Sequence, residues 1–474
     1  MSRRETQHKR ATYPAYKPSG MNWVVDIPEH WEIHRLKHIA SVQFSSVDKH
    51  TLEGEEPVRL CNYVDVYYND FIAAGIEFMS ASATQSEIAR FQLCRGDVLV
   101  TKDSESWDDI AVPSYVAEKL DGVLCGYHLA HIRPHPRKLL GEYLFRAFGS
   151  RGINDQFRVA ANGITRFGLG KYWLDNGLFP VPPLTEQRAI AAFLDRETAR
   201  VDALIEKKRR QIELLQEKRS ALISYAVTKG LYGMMNDECG MINGGNDGHT
   251  HHSSLRTPHF KDSGIEWLGE IPAHWEIKSI RRIAKAVKTG GTPSGAEEMH
   301  FDENGFDWYT PSDFHDDLFL IGSSRKLSET GRTEVRIFPA MTVMMIGIGA
   351  TIGKVALSRK PSSCNQQINA IVCNSKMTPE FLTYVLRVVR GYICRCGKFT
   401  TLPIINQEDT KALTITCPPL AEQHDIVSFL NHETDRTEAL IGKIQISIEK
   451  LREYRTALIS AAVTGKIDVR KEVV

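Results

Sequence analysis

Three stretches of this chain hold residue types able to do chemistry. Gly347-Ile348-Gly349, followed by Gly353-Lys354, comes after an apolar run and invites comparison with a phosphate loop. Such a loop cradles phosphate oxygens on backbone N–H groups only at a fixed spacing. That spacing needs a glycine where Ile348 stands and Ser or Thr where Val355 stands. A dinucleotide loop fails too, because its third glycine falls on Ile352. The run therefore reads as strand, tight glycine turn, strand. Asp97, Asp103, Asp108 and Asp109 cluster beside Lys102. A nuclease could hold a divalent cation there, but acidic loop residues also accept from cytosine in a major groove. His128, His131 and His135 lie close in sequence and are either ordinary histidines or part of a metal site. The zincin His-Glu-x-x-His and the amino-methyltransferase Asn/Asp-Pro-Pro-Tyr/Phe are absent, and both Pro-Pro pairs precede leucine. Nine cysteines at irregular spacing, with no Cys-x-x-Cys, argue for reduced thiols rather than a disulfide frame or a zinc site. The search gives no catalytic residue and no metal ligand set.

The elements that must position any site are written twice. Trp23, Ile27, Pro28, His30, Trp31, Glu32 and Ile33 recur 244 positions later as Trp267, Ile271, Pro272, His274, Trp275, Glu276 and Ile277. Residues 182–230 recur without a gap 236 positions later, at 418–466, with about half the positions identical. The intervening regions, 41–178 and 285–414, show little alignment to each other. Two like frames thus carry two unlike inserts. Between the copies, residues 234–254 are rich in Gly, Asn, Asp and His and hold no Lys or Arg, the composition of a flexible linker. His249, His251 and His252 there are either exposed polar residues or metal ligands. The expected domains are 1–181, a first head; 182–232, a helix; 233–255, the linker; 256–417, a second head; and 418–474, a second helix.

Pro182-Pro183 ends a strand-like segment, Thr185 is placed to cap a helix from Glu186, and Gly230 is a plausible stop. Val201, Leu215 and Leu222 stand on a seven-residue ladder flanked by Leu204, Ile205 and Ile212, with Lys208 interrupting it. Ile444, Leu451 and Leu458, with Leu440, Ile441 and Ile448, repeat it in the second copy. Heptad spacing suits helix-on-helix packing. The alternatives are an antiparallel pair of the two helices or a helix packed on its own head. A paired rod of ~65 Å would act as a ruler between heads. B-DNA repeats every ~34 Å, so such a rod suits two unlike half-sites on one duplex.

Composition fits a globular protein: 42% apolar, 25% charged, net charge +1. The longest apolar runs fall short of a membrane span, and the chain begins Met-Ser-Arg-Arg without an apolar signal core. The expectation is a cytoplasmic protein with no membrane partner. The first head carries 21 basic and 22 acidic residues, the second 20 and 17, and the first helix region 10 and 7. These balances are weak for a lone DNA binder, so affinity would be shared with a partner that grips the backbone. Lys207, Lys208, Arg209 and Arg210 either touch DNA or form a solvated helix face.

The doubled Pro-Pro-Leu-x-Glu-Gln-x-x-Ile-x-x-Phe-Leu, at 182–194 and 418–430, opens two long helices ending Ala-Leu-Ile-Ser. With Gly-Glu-Ile-Pro-x-His-Trp (269–275), Thr-Gly-Gly-Thr-Pro-Ser (289–294) and Asn-Gln-Gln-Ile-Asn (365–369), it resembles the specificity subunit of Type I restriction–modification systems. The resemblance covers nearly the whole chain outside the N-terminal segment and the linker. The first head lacks the Gly-Gly-Thr-Pro pattern, which places it in a different recognition-domain subgroup.

The resemblance implies an α/β (α+β) fold: two mixed target recognition domains separated by two long antiparallel coiled-coil helices, related as a pseudo-two-fold internal repeat. It implies a non-catalytic subunit that reads a split, asymmetric target on double-stranded DNA. Its partners would be two modification (methyltransferase) subunits and two restriction subunits. S-adenosylmethionine, ATP and magnesium would belong to those partners, with no cofactor on this chain. The competing readings are a stand-alone methyltransferase or nuclease, and a coiled-coil scaffold unrelated to DNA. Residue type and loop position nominate DNA contacts. In the first head they are Thr101, Lys102, Ser104, Trp107, Asn162, Thr165 and Arg166. In the second they are Thr289, Thr292, Ser294, Thr310, Ser312, Lys398, Thr400 and Thr401.

Overall fold

The repeated residues build the same joint twice. A computed structural model describes residues 11–232, 259–265, 267–294, 298–396, 398–399 and 403–472. It falls into two compact units, Met1–Arg209 with Ile444–Val474, and Arg210–Lys443. In the first, strand Glu32–Arg35 pairs antiparallel with Leu178–Val181, the segment that runs into Pro182-Pro183. The Glu186 carboxylate, 5% exposed, accepts from Trp31 Nε1 at 3.1 Å and lies 2.9 Å from His30 Nε2. The Tyr13 hydroxyl donates to it as well. Gln187 is fully buried. Its Oε1 accepts from Leu140 N at 2.9 Å, and its Nε2 donates to Lys138 O at 2.9 Å and Pro182 O at 2.8 Å.

The second unit repeats the strand pair with Glu276–Ser279 on Thr414–Cys417, but there Trp275 Nε1 makes no hydrogen bond to Glu422. His274 Nε2 lies 2.8 Å from Glu422, and Gln423 holds Thr378 N at 2.8 Å, Lys376 O at 3.0 Å and Pro418 O at 2.9 Å. A buried amide with every group paired makes loss of that Gln costly, because several main-chain partners would be orphaned at once. The Glu-Gln dipeptide is thus the clasp between entry strand, head and helix.

The first long helix spans Leu184–Lys229, 46 residues, and the second Leu420–Val463, 44 residues. The start differs from the sequence expectation: Thr185 lies exposed inside the first turn, and Pro183 O already accepts from Glu186 N and Gln187 N. The stop is Gly230, at φ +78°, a left-handed conformation that glycine adopts without strain.

In the first unit Ile190, Phe193 and Leu194, from the start of one helix, share a core with Leu458, Ile459, Ala462 and Val463, from the end of the other. In the second unit Ala226 and Val227 join Ile426 and Leu430 in the same way. Start meets end, so the helices run antiparallel within each unit. Arg455 to Asp202 at 3.0 Å and Arg219 to Glu438 at 3.1 Å are the matching cross-helix ion pairs. Along the ladder Val201, Ile205, Ile448 and Leu458 are buried. Ile212, Leu215, Leu222, Ile441, Ile444 and Leu451 are half-buried. Leu204 and Leu440, 41% and 42% exposed, stand off the seam. Two helices cover only a narrow stripe of each other, so positions beside it stay in solvent.

The heads, unlike in sequence, share a topology. The first has a sheet ordered Ala40–Phe44, Leu129–Pro134, Val98–Thr101, Pro113–Val116, Phe71–Ile72. The second is ordered Ala284–Thr289, Ile368–Cys373, Val343–Ile346, Val355–Leu357. Ala130 lies opposite Phe44 and Val100, and Ala370 opposite Lys288 and Met344. A smaller sheet also recurs. Glu56–Cys61 sits between parallel Val123–Cys125 and antiparallel Met79–Ala83, as Phe301–Tyr309 sits between Ser363–Cys364 and Arg325–Leu327. Each central strand leads into a capped turn. Asn62 N donates to Asp65 at 2.7 Å in one head and Thr310 N to Asp313 at 2.7 Å in the other.

Candidate nucleic-acid interface

The polar residues gather at one end of each main sheet. In the first head, Lys102 follows strand Val98–Thr101, and His128 precedes strand Leu129–Pro134 beside it. Lys102 N donates to His128 O at 3.2 Å. Residues 103–104 pair with Phe167–Gly168, which draws in the loop carrying Asn162, Thr165 and Arg166. Asp103 Oδ2 accepts from Lys102 Nζ at 2.9 Å and lies 3.1 Å from His128 Nδ1. Arg166 Nη2 is 3.3 Å from the same nitrogen. As a donor, that nitrogen serves the carboxylate; as an acceptor, it serves the guanidinium. The Lys102 ammonium also lies over the Tyr127 ring at 4.6 Å, a contact that steadies a largely buried cation. Burial pushes the Asp103 carboxyl upward, but the hydrogen bonds from Lys102 and His128 outweigh it and hold the pKa below the usual range.

Other nominated residues of this head divide by exposure. Thr101 is fully buried, its hydroxyl donating to Asp109 O at 2.6 Å and accepting from Val112 N at 3.0 Å. Ser104, 5% exposed, shares a hydrogen bond with Tyr63 OH at 3.2 Å. These two hydroxyls shape the surface from beneath it. Trp107, Asn162, Thr165 and Arg166 are exposed.

The acidic and histidine clusters come apart. Asp97, 1% exposed, takes His131 at 2.7 Å and both Arg133 Nε at 2.8 Å and Nη2 at 2.7 Å. Asp108 accepts from Ser106 and Asp109 from Tyr67, while His135 N reaches Ile39 O. Among the described residues no group of three or more metal-ligating side chains is present.

In the second head neutral hydroxyls and amides meet at the corresponding sheet end. Thr289 Oγ1 donates to Asn369 Oδ1 at 3.0 Å, and Thr292 Oγ1 to Gln366 Oε1 at 2.6 Å. Asn369 is itself buried, its amide donating to Ile405 O at 2.8 Å and Thr410 Oγ1 at 2.9 Å. Gln367 O accepts from Gly347 N at 2.8 Å, so the glycine turn before Lys354 belongs to the same end. That turn joins antiparallel strands Val343–Ile346 and Val355–Leu357.

Ser294 is exposed and doubly bonded to Glu334, at 2.6 and 2.7 Å. Thr310 and Ser312 stand apart, in the capped turn, where Thr310 Oγ1 donates to Asp313 at 2.9 Å. Lys398 lies in strand Lys398–Phe399; Thr400 and Thr401 lie outside the described residues, as do the linker histidines. Sequence reasoning did not nominate Tyr63, Tyr127 or Gln366. Tyr127 and Gln366 immediately precede a strand-flanking polar residue, a signal visible only once strand register is known.

Residues 272–450 match the family model described as Type I restriction modification DNA specificity domain. A putative Type I restriction enzyme specificity subunit, MjaX of Methanocaldococcus jannaschii, is 22% identical over 454 residues, covering 94% of this chain and 95% of the relative. Residues 272–450 carry this specificity domain, and over nearly its whole length the chain is similar to a Type I restriction enzyme specificity subunit.

Two solved structures carry the same fold as this chain. The HsdS subunit from Thermoanaerobacter tengcongensis superposes with a TM-score of 0.54 at 17% identity, covering 93% of this chain and 98% of that one. A chain described with the complex assembly and conformational transition of the type I R-M system reaches 0.62, also at 17% identity, covering 93% and 99%. The α/β class and the paired-helix architecture expected from sequence are those of this fold. A specificity subunit is a component of an enzyme rather than an enzyme itself. No helix among the described residues is long and apolar enough to cross a membrane.

Proposed function

We propose that the chain reads a bipartite, asymmetric sequence in double-stranded DNA, one head per half-site. The observation that supports this most directly is the placing of unlike polar groups at the same end of two topologically equivalent sheets. Lys102, Asp103, His128 and Arg166 would act in the first head, with Trp107, Asn162 and Thr165 around them. Thr289, Thr292, Ser294 and Gln366 would act in the second, joined by Ser312, Lys398, Thr400 and Thr401. Arginine and lysine pair with guanine edges, and glutamine and asparagine with adenine, so the two half-sites should differ in base composition.

In this reading the domains are the heads 1–181 and 256–417, the helices 182–232 and 418–474, and the linker 233–255. The paired helices set the gap between half-sites and dock two methyltransferase subunits. These carry S-adenosylmethionine, and restriction subunits add ATP and magnesium chemistry. The complex works in the cytoplasm.

The test is selection from random-sequence duplexes by the assembled complex. A gapped motif with unlike halves is expected; no enrichment would leave only a scaffold. Adding two helical turns before residue 231 should lengthen the gap by about 10 Å of rod and leave both sets of bases unchanged.

A further inference from the structure

In each unit a helix of the head lies against the long helices, and the two corners differ. The first unit closes its corner with charge. Arg146, on helix Gly141–Phe148, is 2.6 Å from Asp195. Arg455 is 2.6 Å from Asp70 and 3.0 Å from Asp202. Two cations meet three carboxylates.

The second unit keeps the positions and changes the groups. Arg219 and Glu438 stand 236 positions from Arg455 and Asp202 and keep their ion pair. Asn431 replaces Asp195, and Tyr384 replaces Arg146, its hydroxyl donating to Asn431 at 2.8 Å. Beside them opens a cavity of about 500 Å³, lined by the cations Arg219, Lys354, Arg387 and Arg390 and the carboxylates Asp316 and Glu438. Three of these cations have no carboxylate within 4.0 Å among the described residues, only main-chain carbonyls. Lys354 Nζ donates to Phe314 O at 3.3 Å. Arg387 Nε donates to Val355 O at 3.2 Å and its Nη2 to Asp317 O. Arg390 Nε donates to Ile352 O at 3.3 Å. Most donors of two guanidinium forks are left for another acceptor.

We propose that this corner binds the phosphate group of a small anionic ligand. The volume lies within the range of small-molecule sites. Guanidinium forks match phosphate oxygens two at a time, and the carbonyl bonds already fix where those forks point. Four cations against two carboxylates leave a positive recess. Burial pushes the Arg387 guanidinium below its usual pKa range, with Tyr384, Asp316 and Asp317 opposing and Arg219 adding to the push. A bound anion would supply the charged acceptor that Lys354, Arg387 and Arg390 lack. The recess is the same whichever DNA sequence the heads read.

The test is calorimetric titration of the full-length chain with inorganic phosphate, pyrophosphate and a mononucleotide, at constant ionic strength. Saturable binding with a Kd of ~0.01–1 mM is expected for at least one of them. Arg390→Gln and Lys354→Gln, both half-buried residues lining the cavity, should weaken it about tenfold without changing the melting temperature of the free chain. A chloride titration should give no binding. The proposal is overturned by no saturable binding of any of the three, or by binding that neither substitution affects. It is also overturned if only random duplex DNA responds to the substitutions, which would make the corner a backbone contact.

Discussion

Strands Val98–Thr101 and Val343–Ile346 occupy the same place in their sheets and carry opposite chemistry at both ends. At the inner end the first head buries Asp97 with His131 and Arg133. By strand register the second head places Met341, Ile371 and Cys373 there. At the outer end the first head carries Lys102, Asp103, His128 and Arg166, and the second carries Thr289, Thr292 and Gln366. The fold therefore tolerates a buried ion cluster or an apolar one at the same site, provided each is internally complete. What it holds constant is register and the Glu-Gln clasp. The sheet is a mount, and the loops at its end are the exchangeable part.

The strongest test of that separation is exchange. Replacing residues 41–178 with the head of another such chain should abolish preference for the original first half-site, a loss of about 10³-fold against that sequence. The second half-site should be read as before. Methylation mapping in cells carrying the hybrid and its partners measures both at once. If both halves change, the heads are not independent readers.

Asp97 gives the next largest effect. Asp97→Asn leaves His131 and Arg133 without their carboxylate and should cost the first head about 3 kcal/mol, with the second head unaffected. The pH dependence has a definite sign. Hydrogen bonds from Arg133 and His131 hold the Asp97 carboxyl below its usual range in spite of burial, and Lys102 and His128 do the same for Asp103. Their stabilisation is complete above the unfolded carboxylate value of ~4 and is lost as the pH falls through the lower folded values. Acid should thus loosen the first head before the second. Hydrogen exchange resolved by head, from neutral pH downward, shows whether the order is reversed.

Arg166 is a smaller and sharper probe. Arg166→Ala should relax a single G·C position in the first half-site by about 1–3 kcal/mol. Thr292→Val should weaken a position in the second half-site by less, since a neutral hydroxyl gives up a weaker bond. Selection on the two variants compares them directly. A uniform loss across all sequences for Arg166→Ala would assign it to a phosphate instead.

The frame was legible in the sequence because its residues are held by identity. Glu186 and Gln187 pair with His30, Trp31, Leu140 and Lys138, and the same letters stand at 274, 275, 422 and 423. There the His–Glu and Gln contacts recur, and the Trp275 indole is held by burial without the hydrogen bond. The sheets of the heads were not legible as a repeat. Val-Leu-Val-Thr and Val-Met-Met-Ile share only burial, and burial leaves many letters free. Nor did residue type alone distinguish Arg166, which is exposed, from Thr101, whose hydroxyl is consumed by Asp109 and Val112 across a turn. Which way a hydroxyl faces depends on partners far along the chain, and no local pattern encodes it.

Thr310 offers the finest discrimination between mount and reader. Residue type nominates it as a DNA contact, while its position matches Asn62, the same point of the same turn in the other head. Its hydroxyl donates to Asp313, and Asp313 also accepts from Thr310 N and from Ser324 N at 2.8 Å. A residue so engaged is a cap. Thr310→Val should therefore lower stability by about 1 kcal/mol, the scale of a lost cap, and leave the selected bases unchanged. Asp313→Asn should cost more, because two main-chain donors lose a charged acceptor. The opposite pattern, a relaxed base position at unchanged melting temperature for Thr310→Val, would move this turn from the mount to the reading surface. By register it would then move the Asn62 turn of the first head with it.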